Sequence, residues 1–133
     1  GLPGETDADI DELIAFSLHL AEVAKPTRVA LGVAPFCAKR NTPMDGAPYA
    51  GIKTVDRRMR QLQRGLKGRV EVRPASSRWA WIEHEIAQRG PEAGLAVMRA
   101  WRQGGSFADY RRELLELDPD TRRPWALLQP TAA

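Results

Sequence analysis

The sequence predicts an α/β protein, and three observations carry that expectation. Segments with helical apolar spacing alternate with short runs rich in Val, Leu and Ala. The first such run, 28–36, holds no charge after Arg28 and does not alternate cleanly, which is the pattern of a strand covered on both faces of a parallel sheet. The chain opens on Gly1-Leu2-Pro3-Gly4-Glu5-Thr6. That hexapeptide reads as a loop running from a strand end into a helix, so its strand is expected to precede this sequence. The chain then reads as the back end of a larger soluble enzyme.

Each element follows from local chemistry. Thr6 is an N-cap, with Asp9 three residues on and Asp7 in the first turn to meet the helix dipole. Ile10, Leu13, Ile14, Leu18 and Ala21 recur at helical spacing, predicting a helix over 7–24 that Lys25-Pro26 ends. The 28–36 run is the first strand, with Pro35 at its end. Residues 37–53 form a loop whose length is itself a functional hint. Thr54 is expected to cap a second helix over 55–67, with Val55, Met59, Leu62 and Leu66 on one face and Gly68 as its stop. Residues 69–73 alternate as a short half-exposed strand. Three helices follow, over 78–89 (Trp79, Ile82 and Ile86 inward), 92–103 (Leu95, Met98 and Trp101 inward) and 107–117, the last capped by Ser106 with Asp109. The tail from Asp118 has three prolines and reads as irregular. Two strands seldom make a stable sheet alone, so part of the sheet is expected to be missing.

Composition narrows the function classes. The chain has 133 residues, 43% of them apolar, and fits one domain. No apolar run approaches the ~18–20 residues of a membrane span, and no secretory leader is recognisable at Gly1-Leu2-Pro3-Gly4. Cys37 is the one cysteine, which excludes an internal disulfide and points to the cytoplasm. The net charge of +3 hides an asymmetry. Residues 1–24 carry six acids and no Lys or Arg, whereas 39–73 carry ten bases and three acids. Such a stripe either meets phosphates or is a solvated helix face with contacts to acidic neighbours, and the second reading is preferred.

Two segments are candidates for chemistry. The glycines of the opening loop let backbone approach a ligand, and the helix terminus behind it favours anions, although Glu5 could simply occupy that place. The second segment, 33–44, is a strand's carboxyl end, where parallel α/β folds bind ligands. There Lys39 and Arg40 could pair with a carboxylate or phosphate, and Asn41 and Thr42 could orient it. His19 and His84 lack a partner at metal-ligand spacing and read as structural. Trp79, Trp81 and Trp101 could stack on bases or sugars, but core packing is expected. No phosphate loop, dinucleotide fingerprint, nucleophile elbow or zinc motif occurs.

Together these residues resemble the radical S-adenosylmethionine superfamily. Gly1-Leu-Pro-Gly-Glu-Thr6 before an acidic helix looks like the segment after the family's fifth barrel strand. Pro35-Phe36, Lys39 and Thr42-Pro43 look like the loop after the sixth, and Ser77-Arg78-Trp79-Ala80-Trp81-Ile82-Glu83 looks like the C-terminal extension of a branch often fused to a cobalamin-binding domain. The family usually has Pro where Ala38 stands. The resemblance implies an α/β fold, the C-terminal part of a partial (β/α)6 TIM-like barrel with a helical C-terminal extension. Residues 1–54 would be the last barrel units and 55–133 a helix, a short strand and the extension. It also implies S-adenosylmethionine and a [4Fe–4S] cluster in the parent enzyme, with cobalamin as an option. The family's Cys-x-x-x-Cys-x-x-Cys is not in this sequence, and Cys37 does not replace it. This chain would therefore hold no metal and no catalytic residue, and turn nothing over alone. It would supply the rim of the site: Gly1, Leu2, Pro3, Val33, Ala34 and Phe36 toward the cofactor, and Lys39, Arg40 and Thr42 toward substrate. Its partners would be the rest of the barrel and an upstream domain. The competing readings are a basic nucleic-acid-binding module built on 55–73 and a protein-interaction module built on the C-terminal helices.

Overall fold

A computed structural model of the chain describes residues 1–117. The tail expected to be irregular lies outside the described residues. The order of elements is α1 (Asp7–Val23), β1 (Ala30–Val33), α2 (Ile52–Leu66), β2 (Glu71–Pro74), α3 (Ser77–Gln88), α4 (Glu92–Arg102) and α5 (Phe107–Leu115).

The barrel expectation is overturned. The protein is small and mainly helical, about 55% helix with two short parallel strands, and no further strand occurs among the described residues. β1 and β2 pair with each other in register Ala30↔Glu71 through Val33↔Pro74. The Glu71 amide donates to the Val29 carbonyl at 3.3 Å, and the Ala75 amide donates to the Val33 carbonyl at 2.8 Å. The expectation failed because lack of charge is not burial. Ala30 and Gly32 are uncharged but exposed, while Leu31 and Val33 are half-buried, so β1 alternates as a strand covered on one side. The strand is also four residues long rather than nine, and the chain leaves the sheet just before Pro35, which has no N–H to give a ladder.

The described residues form two compact units. The first holds Gly1–Phe36 and Tyr49–Trp81. Thr6 caps α1 as its sequence predicts: its hydroxyl accepts from the Asp9 amide, and Asp9 accepts from the Thr6 amide at 2.6 Å. The α2 start differs from expectation. The helix begins at Ile52, and its N-cap is Gly51 at φ +90°, not Thr54. Ile10, Val55, Leu62, Leu66 and Val70 are buried in this unit, with Leu66 fully inaccessible. α1 lies against α2 at Gly65, where an added Cβ would come within 2.6 Å of Ile14 Cδ1.

The charge asymmetry resolves here as pairing between neighbours. Arg58 binds Glu5 at 2.7 Å and Asp7 at 3.3 Å; Arg57 pairs with Asp7, and Arg69 with Glu22. Gln61 adds a bond to Asp11 at 2.7 Å. Arg57 holds the Asp7 carboxyl below its ordinary range, and Lys25 does the same for Glu22.

The second unit holds Cys37–Pro48 and the described chain from Ile82 onward. α4 and α5 pack as a helical hairpin joined through Gly104 and Gly105, both at positive φ. Ser106 and Asp109 form the predicted capping box of α5. The inward face of α4 is not the predicted one. Ala93, Ala96 and Ala100 are buried, whereas Leu95, Met98 and Trp101 are exposed. Glu113 is buried on α5 and held by Arg99 at 2.6 Å and Gln103 at 2.7 Å.

Candidate functional site

The opening loop and the end of β1 meet in the first unit. A hollow of about 90 Å³ is lined by Gly1, Val33, Ala34, Pro35, Glu5, Arg58 and the apolar side chains of α1 and α2 around them. Gly1 sits where a Cβ would lie 3.3 Å from Ala50 Cβ and 3.9 Å from the Phe36 amide nitrogen. So Gly1, Val33, Ala34 and Phe36, separated by some thirty residues in sequence, are brought together. Leu2 and Pro3 are exposed and do not line the hollow. Its size admits roughly three waters at about 30 Å³ each. That is below the ~300 Å³ at which small-molecule sites begin, so the hollow is not a complete site by itself.

Glu5 is engaged by α2 rather than by the amides at the start of α1. Its carboxylate accepts from Arg58 at 2.7 Å. The loop closes on itself through the Glu5 amide, which donates to the Leu2 carbonyl at 3.0 Å, with Gly4 at φ +82° in the turn.

Lys39, Arg40 and Thr42 belong to the second unit, in a segment that is internally bonded. The Lys39 ammonium pairs with Glu83, and Arg40 Nη1 donates to the Arg89 carbonyl at 3.1 Å. Thr42 Oγ1 donates to the Lys39 carbonyl at 2.8 Å. Gln88 clamps the segment from α3, donating to the Ala38 carbonyl at 2.9 Å and accepting from the Gly46 amide at 3.1 Å. The long stretch between β1 and α2 is therefore built onto the C-terminal half of α3. Ala38, which departs from the family pattern, is its buried anchor.

Cys37 is half-buried, and burial followed by the Glu83 charge pushes its thiol up, away from a reactive thiolate. His84 is buried, and that burial lowers its pKa, so the ring is a packed neutral group. No group of three or more His, Cys, Asp or Glu side chains able to hold a metal occurs among the described residues. Trp79 and Trp101 are exposed rather than in a core, and Trp81 is half-buried. No described helix is long and apolar enough to cross a membrane.

Sequence reasoning missed a second, larger hollow of the first unit. It is lined by Asp56, Met59, Arg60 and Gln63 of α2, Pro74 at the end of β2, and Ala75 to Arg78. The available signal was Pro74-Ala-Ser-Ser-Arg78 directly after a strand. Ser77 is buried there; its hydroxyl donates to Asp56 Oδ1 at 2.5 Å, and its carbonyl accepts from the Tyr49 hydroxyl at 2.8 Å. No known protein family, curated protein or solved structure matches this chain.

Proposed function

We propose that this chain is part of a radical S-adenosylmethionine iron–sulfur enzyme and contributes the rim of its cofactor and substrate site. The observation that supports this reading is the convergence of Gly1, Val33 and Ala34 on one small hollow, with the Phe36 amide beside Gly1. Two of the motif blocks that carry the family resemblance are thereby neighbours. An apolar, glycine-edged wall of this kind suits the face of a purine.

The iron–sulfur cluster does not fit this chain's own residues. Cys37 is a single thiol, one ligand where a cubane cluster needs several. No step of the chemistry is therefore assigned to these residues; the cluster's cysteines would lie on an upstream segment, the partner this reading requires. A reducing cytoplasm suits such a cluster and the single thiol. Cobalamin-dependent methyl transfer is the second chemistry open to the parent enzyme. The nucleic-acid reading loses support because Arg57, Arg58 and Arg69 are engaged by Glu5 and the α1 acids Asp7 and Glu22.

The test is anaerobic reconstitution of the chain alone and of the chain with its upstream coding sequence. The longer protein should carry the three-cysteine motif, take up a cubane cluster and release 5′-deoxyadenosine under reduction, while the short chain does neither. Ala34→Trp in the longer protein should raise the KM for S-adenosylmethionine and leave cluster absorbance unchanged. A stable cubane on the short chain, or an upstream sequence without the cysteine triad, overturns the proposal.

A further inference from the structure

We propose that the hollow between α2 and the β2–α3 connection binds a phosphate-bearing, hydroxylated small molecule of the sugar-phosphate class. The hollow measures about 400 Å³, within the ~300–1,000 Å³ of small-molecule sites. It opens where the chain leaves β2 at Pro74 and turns into α3. None of Gly1, Val33, Ala34 and Phe36 lines it, so it is distinct from the rim described above; Met59 alone borders both hollows.

Two guanidinium groups line it from separate elements, Arg60 from α2 and Arg78 from α3. Arg60 makes no hydrogen bond or ion pair to any described residue, in contrast to Arg57 and Arg58 just before it, which are both tied to α1. A guanidinium at the edge of a hollow and not consumed by an internal acid is suited to forked recognition of a phosphate. The remaining polar lining is Gln63, Ser76 and Asp56. Asp56 is fixed by the Ser77 hydroxyl at 2.5 Å. An ionised carboxylate keeps further acceptor capacity after one such bond. That capacity suits a ligand hydroxyl and repels a second anionic group. Met59, Pro74 and Ala75 give the apolar wall on which a sugar's carbon face can rest. Arg60 offers its guanidinium to a phosphate, and Asp56 and Gln63 offer hydrogen bonds to a polyol.

Titration of the full chain with ribose 5-phosphate, inorganic phosphate and ribose, followed by amide NMR at about 150 mM salt, tests this. Saturable shifts confined to residues 56–63 and 74–78 are expected. Ribose 5-phosphate should bind more tightly than inorganic phosphate, and ribose alone should not bind. Arg60→Gln should weaken ribose 5-phosphate about tenfold, the loss of one charge-assisted contact, with an unchanged thermal midpoint. Arg64→Gln, one turn further along α2 and outside the hollow, should change nothing. Equal binding of ribose 5-phosphate and inorganic phosphate overturns the sugar-phosphate assignment. Unchanged affinity in Arg60→Gln, or shifts scattered over all basic residues, overturns the site. So does a single-stranded oligonucleotide that binds more tightly and depends on Arg60 and Arg64 alike. None of these readouts involves a cluster or S-adenosylmethionine, so either proposal can fail alone.

Discussion

In α2 of the first unit the buried stripe is Val55, Leu62 and Leu66, whereas in α4 of the second it is Ala93, Ala96 and Ala100, with Leu95, Met98 and Trp101 left exposed. The contrast shows what decides which face of a helix goes inside. α2 packs against α1 and β2, and its buried side chains are large. α4 is tied to α5 by a tight glycine turn, and a stripe of small residues lets two helices so joined approach closely. Apolar area alone would bury Leu95 and Trp101; the geometry of the hairpin selects the alanines instead.

The strongest way to break this contrast is through the cores. Leu66→Ala removes a fully buried side chain and should cost about 3 kcal/mol in urea unfolding, within the range for Leu truncations. A loss below about 1 kcal/mol would mean that α2 is not packed as described. Ala96→Leu should cost about 2 kcal/mol, because overpacking a tight helix contact displaces α5. Amide exchange should then rise in α4 and α5, and a stabilised protein would show the alanine face to be loose.

The next effect is electrostatic. Arg99 first, then Gln103, hold the Glu113 carboxyl below its ordinary range, and Arg57 does the same to Asp7 in the first unit. A carboxylate with a lowered folded-state pKa stabilises fully above its unfolded value and loses that contribution as pH falls through the folded value. Stability should therefore decline below the ordinary carboxylate range in both units. The lowered pKa of buried His84 acts in the same sense, over a higher window that begins near its ordinary value of 6.5. Glu113→Gln should flatten the acid decline of amide protection in α5 and leave that of α1 intact; an equal flattening in α1 would rule out the local pairing. The smallest effect belongs to the exposed face: Leu95→Ser with Trp101→Ser should shift stability by less than about 0.5 kcal/mol. A larger loss would show that the ridge is not solvent-facing.

Helix positions were legible in the sequence because caps and breakers are local. Thr6 with Asp9 and Ser106 with Asp109 start α1 and α5 where their spacing predicts, and Lys25-Pro26 follows the end of α1. The α2 start was not, since Gly51 caps it by backbone conformation alone and leaves no side-chain signature. Facing and partnership were less legible because they depend on the neighbour. Trp79 and Trp101 occupy helical stripes yet are exposed, and uncharged Ala30 and Gly32 read as buried only by lacking charge. Of the candidate rim, Val33, Ala34, Phe36 and Gly1 do come together. Lys39, Arg40 and Thr42 could not be read as internally bonded, because Glu83 and Arg89, their partners with the chain's own turn, are forty or more residues away. The Arg60 hollow was hidden for the opposite reason: sequence shows four arginines on α2 but not which of them α1 engages.

The acidic helix laid across the basic one also governs how the protein meets charged surfaces. With Arg57, Arg58 and Arg69 satisfied internally, a net charge of +3 understates how unevenly the folded molecule is charged. A cation-exchange resin would therefore hold this protein by a patch rather than by its whole surface. Arg60→Gln should elute earlier than Arg57→Gln, although the two variants carry the same formal charge.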